Sequence, residues 1–128
     1  MKCDPKKVTQ YDFEKLELRV GEIKGAKLHE NGREFILLID LGPAERDIQI
    51  VADLKESYDF QELIGKQCVV VINICSELVE GVESEAMLLI ATKDNKPVLV
   101  SPEKKVSTGE RIFGVMDSEI YHFSDTGE

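Results

Sequence analysis

Between Leu16 and Leu28 apolar and polar residues alternate. Leu16, Leu18 and Val20 fall between Glu17, Arg19 and Gly21, and the pattern runs on unevenly through Ile23, Ala26 and Leu28. A period of two is the signature of a half-buried strand, so a long first strand is predicted here, with Gly21 and Gly25 as positions where it can bend or bulge. Asn31-Gly32 follows as a hairpin turn, both residues tolerating positive φ. A second strand is predicted over residues 35–41 and is stopped by Gly42-Pro43. A third covers residues 47–52, where Ile48, Ile50 and Ala52 alternate with Asp47, Gln49 and Val51. Asp59, with a Glu three positions on and a stop at Gly65, predicts a short helix.

Residues 67–73 are the most β-branched stretch and predict a central strand. Residues 87–92 predict another, which turns at Asp94-Asn95 into residues 97–100. This order predicts an all-β chain: a five-stranded OB-fold barrel with one short helix between strands three and four, and extra N- and C-terminal segments. After Pro102 the polar residues 103–110 lead to residues 112–116 and 120–123, which are expected as strands or arms outside the barrel. The division expected is a flexible N-terminus over residues 1–10, the barrel over 11–112 and a C-terminal extension over 113–128, frayed from 124 onward.

At 128 residues with 42% hydrophobic positions, the chain suits one domain with its own core. The longest apolar runs, 68–72 and 86–91, fall far short of the roughly 20 residues of a membrane helix. No apolar stretch follows Lys2, Lys6 and Lys7, so no signal peptide is read and a cytoplasmic protein is expected. Three cysteines do not make a disulfide framework. Cys68 and Cys75, at opposite ends of one strand, would lie roughly 23 Å apart, and Cys68 is expected as a buried thiol. With two histidines and no CxxC spacing, neither a metal site nor a cofactor is expected.

Catalytic chemistry finds little support. Glu77, Glu80, Glu83 and Glu85 are expected in an exposed, solvated loop, which lacks the apolar setting that raises one carboxyl of an acid/base pair. No nucleophile elbow or phosphate loop occurs. His29, beside the Asn31-Gly32 turn, is expected at the surface. No enzyme activity is expected.

The net charge of −9 argues against a general affinity for polyanions. It is unevenly spread: residues 1–27 hold seven Lys and Arg against five Asp and Glu, and residues 28–128 hold nine against twenty.

The order of short motifs goes further. Residues 13–23 (FEKLELRVGEI), Asp40-Leu41-Gly42, residues 63–73 (LIGKQCVVVIN) and residues 81–89 (GVESEAMLL) together resemble the tRNA-binding domains appended to methionyl-tRNA synthetases, the endothelial monocyte-activating polypeptide group, the dimeric stand-alone tRNA-binding proteins and the CsaA chaperones. The resemblance covers about residues 11–112. It implies an OB-fold without catalysis that binds tRNA or other structured RNA with little base readout, as an accessory to an aminoacyl-tRNA synthetase. The alternative from a different class is a protein-interaction module or CsaA-like export chaperone that has lost RNA.

By resemblance, Asn73 and Ser84 match positions used at the RNA surface, and both carry donors and acceptors suited to phosphate, ribose or base edges. Backbone capping is an equal reading for both. Arg19 matches the family's arginine in strand one and Arg33 falls where a lysine is usual after the Asn-containing turn; either suits a phosphate contact, and Arg19 equally suits a carboxylate partner. Stand-alone relatives imply a homodimer through residues 11–16 and 112–123, where five of the eight aromatic residues lie: Tyr11, Phe13, Phe113, Tyr121 and Phe123. This chain departs from the family in one charged region. A usually basic loop reads Ile74-Cys75-Ser76-Glu77-Leu78-Val79-Glu80, Glu83 and Glu85 flank Ser84, Ala86 replaces a glycine, and Ala52-Asp53 stands where Ser-Gly is usual. Carboxylates facing phosphate repel it, which implies weaker RNA binding than in basic relatives.

Overall fold

A computed structural model describes residues 3–116. Thr9 accepts the Asp12 N–H and caps a short helix, α1 (Gln10–Glu14), which the sequence pattern does not announce. The strands follow as β1 (Leu18–Leu28), β2 (Phe35–Asp40) and β3 (Ile48–Ala52). Helix α2 (Phe60–Leu63) comes next, opened by a capping box between Asp59 and Glu62, and then β4 (Gln67–Val71). The expected short helix therefore sits between strands three and four. Short strands β5 (Glu77–Val79), β6 (Val82–Ser84), β7 (Met87–Leu88), β8 (Ile90–Lys93), β9 (Lys96–Leu99) and β10 (Arg111–Ile112) complete the described chain.

The main sheet runs β3-β2-β1-β4-β7, all antiparallel, with β10 added to the start of β1. Strand β1 serves two neighbours because it bends: Leu18 to Glu22 pair with β4, residues from Glu22 onward pair with β2, and the register shifts between Ile23 and Gly25. A Cβ at Gly21 would stand 2.4 Å from the Ile39 side chain, so the packed interior leaves no room for a side chain at that position. Closure comes from residues 84–85, just before β7, which bond to the free edge of β3. Glu85 N donates to Gln49 O at 2.7 Å, and Ser84 Oγ accepts the Val51 N–H at 3.0 Å. This is the five-stranded OB-fold barrel that the alternation predicts.

Ile23, Leu37, Ile39, Leu41, Ile50, Leu63, Cys68 and Val70 fill the barrel. The outer face of β1 and β4 carries a smaller cluster of Leu18, Val69 and Val71, with Leu89 and Ile112 against it. Cys68 is fully buried, and desolvation pushes its thiol up to about 12. All three cysteines are free.

Several expectations need correction. Residues 77–85 are not an open loop: they form the β5–β6 hairpin, turned by Glu80 and Gly81 at φ 46 and 89. That two-residue turn suits the twist of the strands. His29 is buried, at 5% exposure, because this hairpin folds back over it. Its Nδ1 accepts the Asn31 N–H at 2.9 Å, which leaves Nε2 to donate to Val79 O at 3.0 Å. Residues 87–92 are not one strand: Leu88 pairs with Val70, whereas Ile90 to Lys93 turn away into a separate hairpin with β9. The turn at Asp94-Asn95 is as expected, with both residues at positive φ. At Asn31-Gly32 only Gly32 has positive φ, 75, and the connection closes more widely, through His29 N to Glu34 O. Strand β10 is confined to Arg111–Ile112, and residues 120–123 lie outside the described residues.

Candidate nucleic-acid interface

A groove of about 570 Å³ runs between β3, the β5–β6 hairpin and the segment leading into β8. Its apolar walls include Ile50, Leu54, Ile74, Met87, Leu88 and Ile90. Ser84 lies in the lining, Asp53 and Glu77 supply carboxylates, and none of the lining residues is a lysine or arginine. Its field therefore favours cations over phosphates.

The four residues singled out from sequence occupy different places. Ser84 lines the groove, with its oxygen on the Val51 N–H. Asn73 precedes the lining residues Ile74 and Cys75, and its carboxamide ties two backbone groups of the segment between α1 and β1. Oδ1 accepts Glu17 N–H at 2.7 Å, and Nδ2 donates to Lys15 O at 2.6 Å. Arg19 and Arg33 lie outside the groove lining. Arg19 Nε pairs with Glu17 Oε2 at 2.7 Å while Nη1 donates to Gly109 O at 2.8 Å. Arg33 Nη2 pairs with Glu80, joining the 29–34 turn to the tip of the hairpin. Asn73 and Ser84 do hold backbone groups, but on the segment before β1 and on β3 rather than in their own loop, and Arg19 has the carboxylate partner that its position allows.

Two of the four carboxylates in residues 77–85 face arginines. Glu80 faces Arg33, and Glu85 faces Arg46 Nη2 at 2.9 Å while its other oxygen accepts Gln49 N–H at 2.7 Å. These contacts, the Arg46 hydrogen bond foremost, hold the Glu85 carboxyl below its ordinary value despite partial desolvation. Lys55 reaches Gly32 O on the same side. Arg46, Gln49 and Lys55 were not found from sequence: their roles arise from pairings across more than twenty residues, which no local pattern announces. Among the described residues no cluster of His, Cys, Asp and Glu could hold a metal ion, and no helix is long and apolar enough to cross a membrane.

The profile of the family described as "Putative tRNA binding domain" matches residues 18–111. The methionine–tRNA ligase of Archaeoglobus fulgidus is 42% identical over 102 residues, covering 79% of this chain and 15% of that protein. The corresponding ligase of Thermococcus kodakarensis is 40% identical over 102 residues, covering 79% of this chain and 14% of that protein. The chain thus spans about one seventh of the length of these relatives. Among solved structures, the MetRS related protein from Pyrococcus horikoshii superposes with a TM-score of 0.76 at 28% identity, covering 84% of this chain and 99% of that one. The chaperone CsaA from Bacillus anthracis gives 0.75 at 29% identity, covering 83% and 98%. The barrel, its closure and the match across it agree: this chain belongs to the tRNA-binding domain family.

Proposed function

We propose that the chain is a non-catalytic, cytoplasmic RNA-binding protein that takes tRNA or another structured RNA by shape and backbone contacts, as an accessory to an aminoacyl-tRNA synthetase. The family match over residues 18–111, spanning the whole barrel, carries this reading. Asn73, Ser84, Arg19 and Arg33 are its proposed RNA contacts. Each still has bonding capacity: the Ser84 hydroxyl hydrogen, the second Asn73 Nδ2 hydrogen and the remaining guanidinium N–H groups are not used by the bonds described. A homodimer through residues 11–16 and the C-terminal extension is part of the proposal. Exposed Tyr11, Leu16, Phe113, Val115 and Met116 support it, since aromatic and Met side chains favour interface cores. Tyr121 and Phe123 lie outside the described residues. The test is a mobility shift with bulk tRNA at low and moderate salt: salt-sensitive binding at micromolar protein is expected, and no shift at tens of micromolar in low salt refutes the reading. Light scattering should report two chains, and a single chain at micromolar concentration refutes the dimer.

The groove favours a second reading. Its apolar walls with Asp53 and Glu77 suit a protein segment carrying apolar and basic side chains, as in an interaction module or export chaperone. Partner capture that survives nuclease treatment, together with no tRNA shift, would decide for it.

A further inference from the structure

Strand β10 sets Arg111 directly opposite Arg19 on β1. The neighbouring register pair, Leu18 and Ile112, packs into the outer cluster with Val69 and Val71. Side chains alternate along strands, so Arg19 and Arg111 share the other face, that of Val70 and Ile23, at the end of the barrel where β1 begins. Residues directly opposite hold their Cβ atoms about 4.5–5.5 Å apart, and like charges so placed repel one another. Among the described residues one carboxylate compensates the pair. Glu17 is taken by Arg19 Nε, and Arg111 has no ion-pair partner among the described residues. Arg111 Nε is buried without a hydrogen-bond partner, and Nη2 reaches only Leu16 O at 3.5 Å. A buried, charged N–H left unpartnered is costly, and the two Nη groups at the outer end of a guanidinium are shaped for two oxygens of one anion.

We propose that Arg19 and Arg111 form a phosphodiester site at this barrel end, outside the lining of the acidic groove. Two guanidiniums against one carboxylate leave a single positive charge, which matches the single negative charge of a backbone phosphate. This deepens the RNA-binding reading and rests on it. It also accounts for how a chain with carboxylates in its groove can hold RNA: the phosphate contact lies on a different part of the barrel, beside the Asn73 staple on Lys15 and Glu17.

The test pairs tRNA binding with a signal from the arginines themselves. R111Q is expected to weaken tRNA binding about 5–10-fold and to lower the slope of log affinity against log salt by about 0.7–0.9, the loss of one phosphate contact. R111K, which keeps the charge but not the fork, should lie between the two. Unchanged affinity and slope in a folded R111Q overturn the proposal. In the wild-type chain, the Arg111 Nε–Hε resonance should move on titration with hexauridylate and stay in place with acetate at equal ionic strength, while that of Arg46 stays in place with both. This arm also separates the two readings. If tRNA gives no shift but hexauridylate still moves Arg111, RNA function fails and the phosphodiester site stands. If Arg111 does not move with hexauridylate, or moves equally with acetate, the site is refuted.

Discussion

The Glu17 amide donates to Asn73 Oδ1 at 2.7 Å, across 56 residues of sequence, and the same carboxamide donates to Lys15 O. One side chain thereby fixes the entry of β1 against the end of β4. It also fixes Glu17, the carboxylate that orients Arg19. Replacing Asn73 by Ala is expected to cost about 1–2 kcal/mol, because two backbone groups lose partners in a site that water can partly reach. Urea denaturation checks this. RNA affinity should fall by more than stability alone explains if the loosened segment frees Arg19, and an unchanged midpoint would show that the staple carries no energy.

Glu85 predicts an acid limb in stability. Its carboxyl lies below the ordinary value because the folded chain supplies Arg46 and the Gln49 N–H. A depressed folded value means stability that is present above the ordinary carboxylate range, about pH 4.3, and lost as pH falls through the lower folded value. E85Q should therefore flatten the dependence of unfolding free energy on pH between about 5 and 3. Equal slopes in both proteins would refute the assignment.

Two turns meet through glycines. At Gly109, φ is +97 and a Cβ would lie 2.2 Å from Leu41 O; at Gly42, φ is +61 and a Cβ would lie 2.4 Å from Thr108 O. Either Gly→Ala change should cost about 3 kcal/mol, combining an unfavourable φ with a backbone clash. G32A provides the contrast. Its φ is +75 but nothing lies within 4 Å, so about 1 kcal/mol is expected. The double variant G42A/G109A should lose less than the sum, since both strain one contact. Thermal melts of the four proteins decide.

Thiol accessibility divides the cysteines. Cys3 and Cys75 are exposed, whereas Cys68 is buried with its thiol pushed up to about 12. At pH 8 a thiol reagent should modify two cysteines rapidly and the third only when denaturant opens the barrel. Rapid modification of all three would show that the barrel opens locally around Cys68.

Much of this architecture is legible in the sequence because β2 and β3 each bury one face, which alternation marks directly, whereas β4, buried on both faces, shows as a β-branched run. The β5–β6 hairpin escapes that reading. Its acidic residues suggest solvent, but Glu80 and Glu85 are held by Arg33 and Arg46, and only the Glu80-Gly81 pair between Val79 and Val82 hints at a turn. His29 is missed for the same reason, since Val79 reaches it across 50 residues. The four candidate residues are proposed by resemblance, but their partners cannot be read from it. Arg111 becomes visible only once the register sets it opposite Arg19.

The hairpin's attachments also bear on the order in which the chain folds. Its own turn is local and can close within microseconds, but its docking joins residues 33 to 50 apart: Ser84 to Val51, Gln49 to Glu85, Arg33 to Glu80, Val79 to His29. Closing these long loops is costlier than forming the hairpin's own turn, so docking is expected to follow the pairing of β2 and β3 and to fall after the rate-limiting barrier. S84A should speed unfolding and leave the refolding limb of a chevron unchanged. The barrel's last seam is then the first to open.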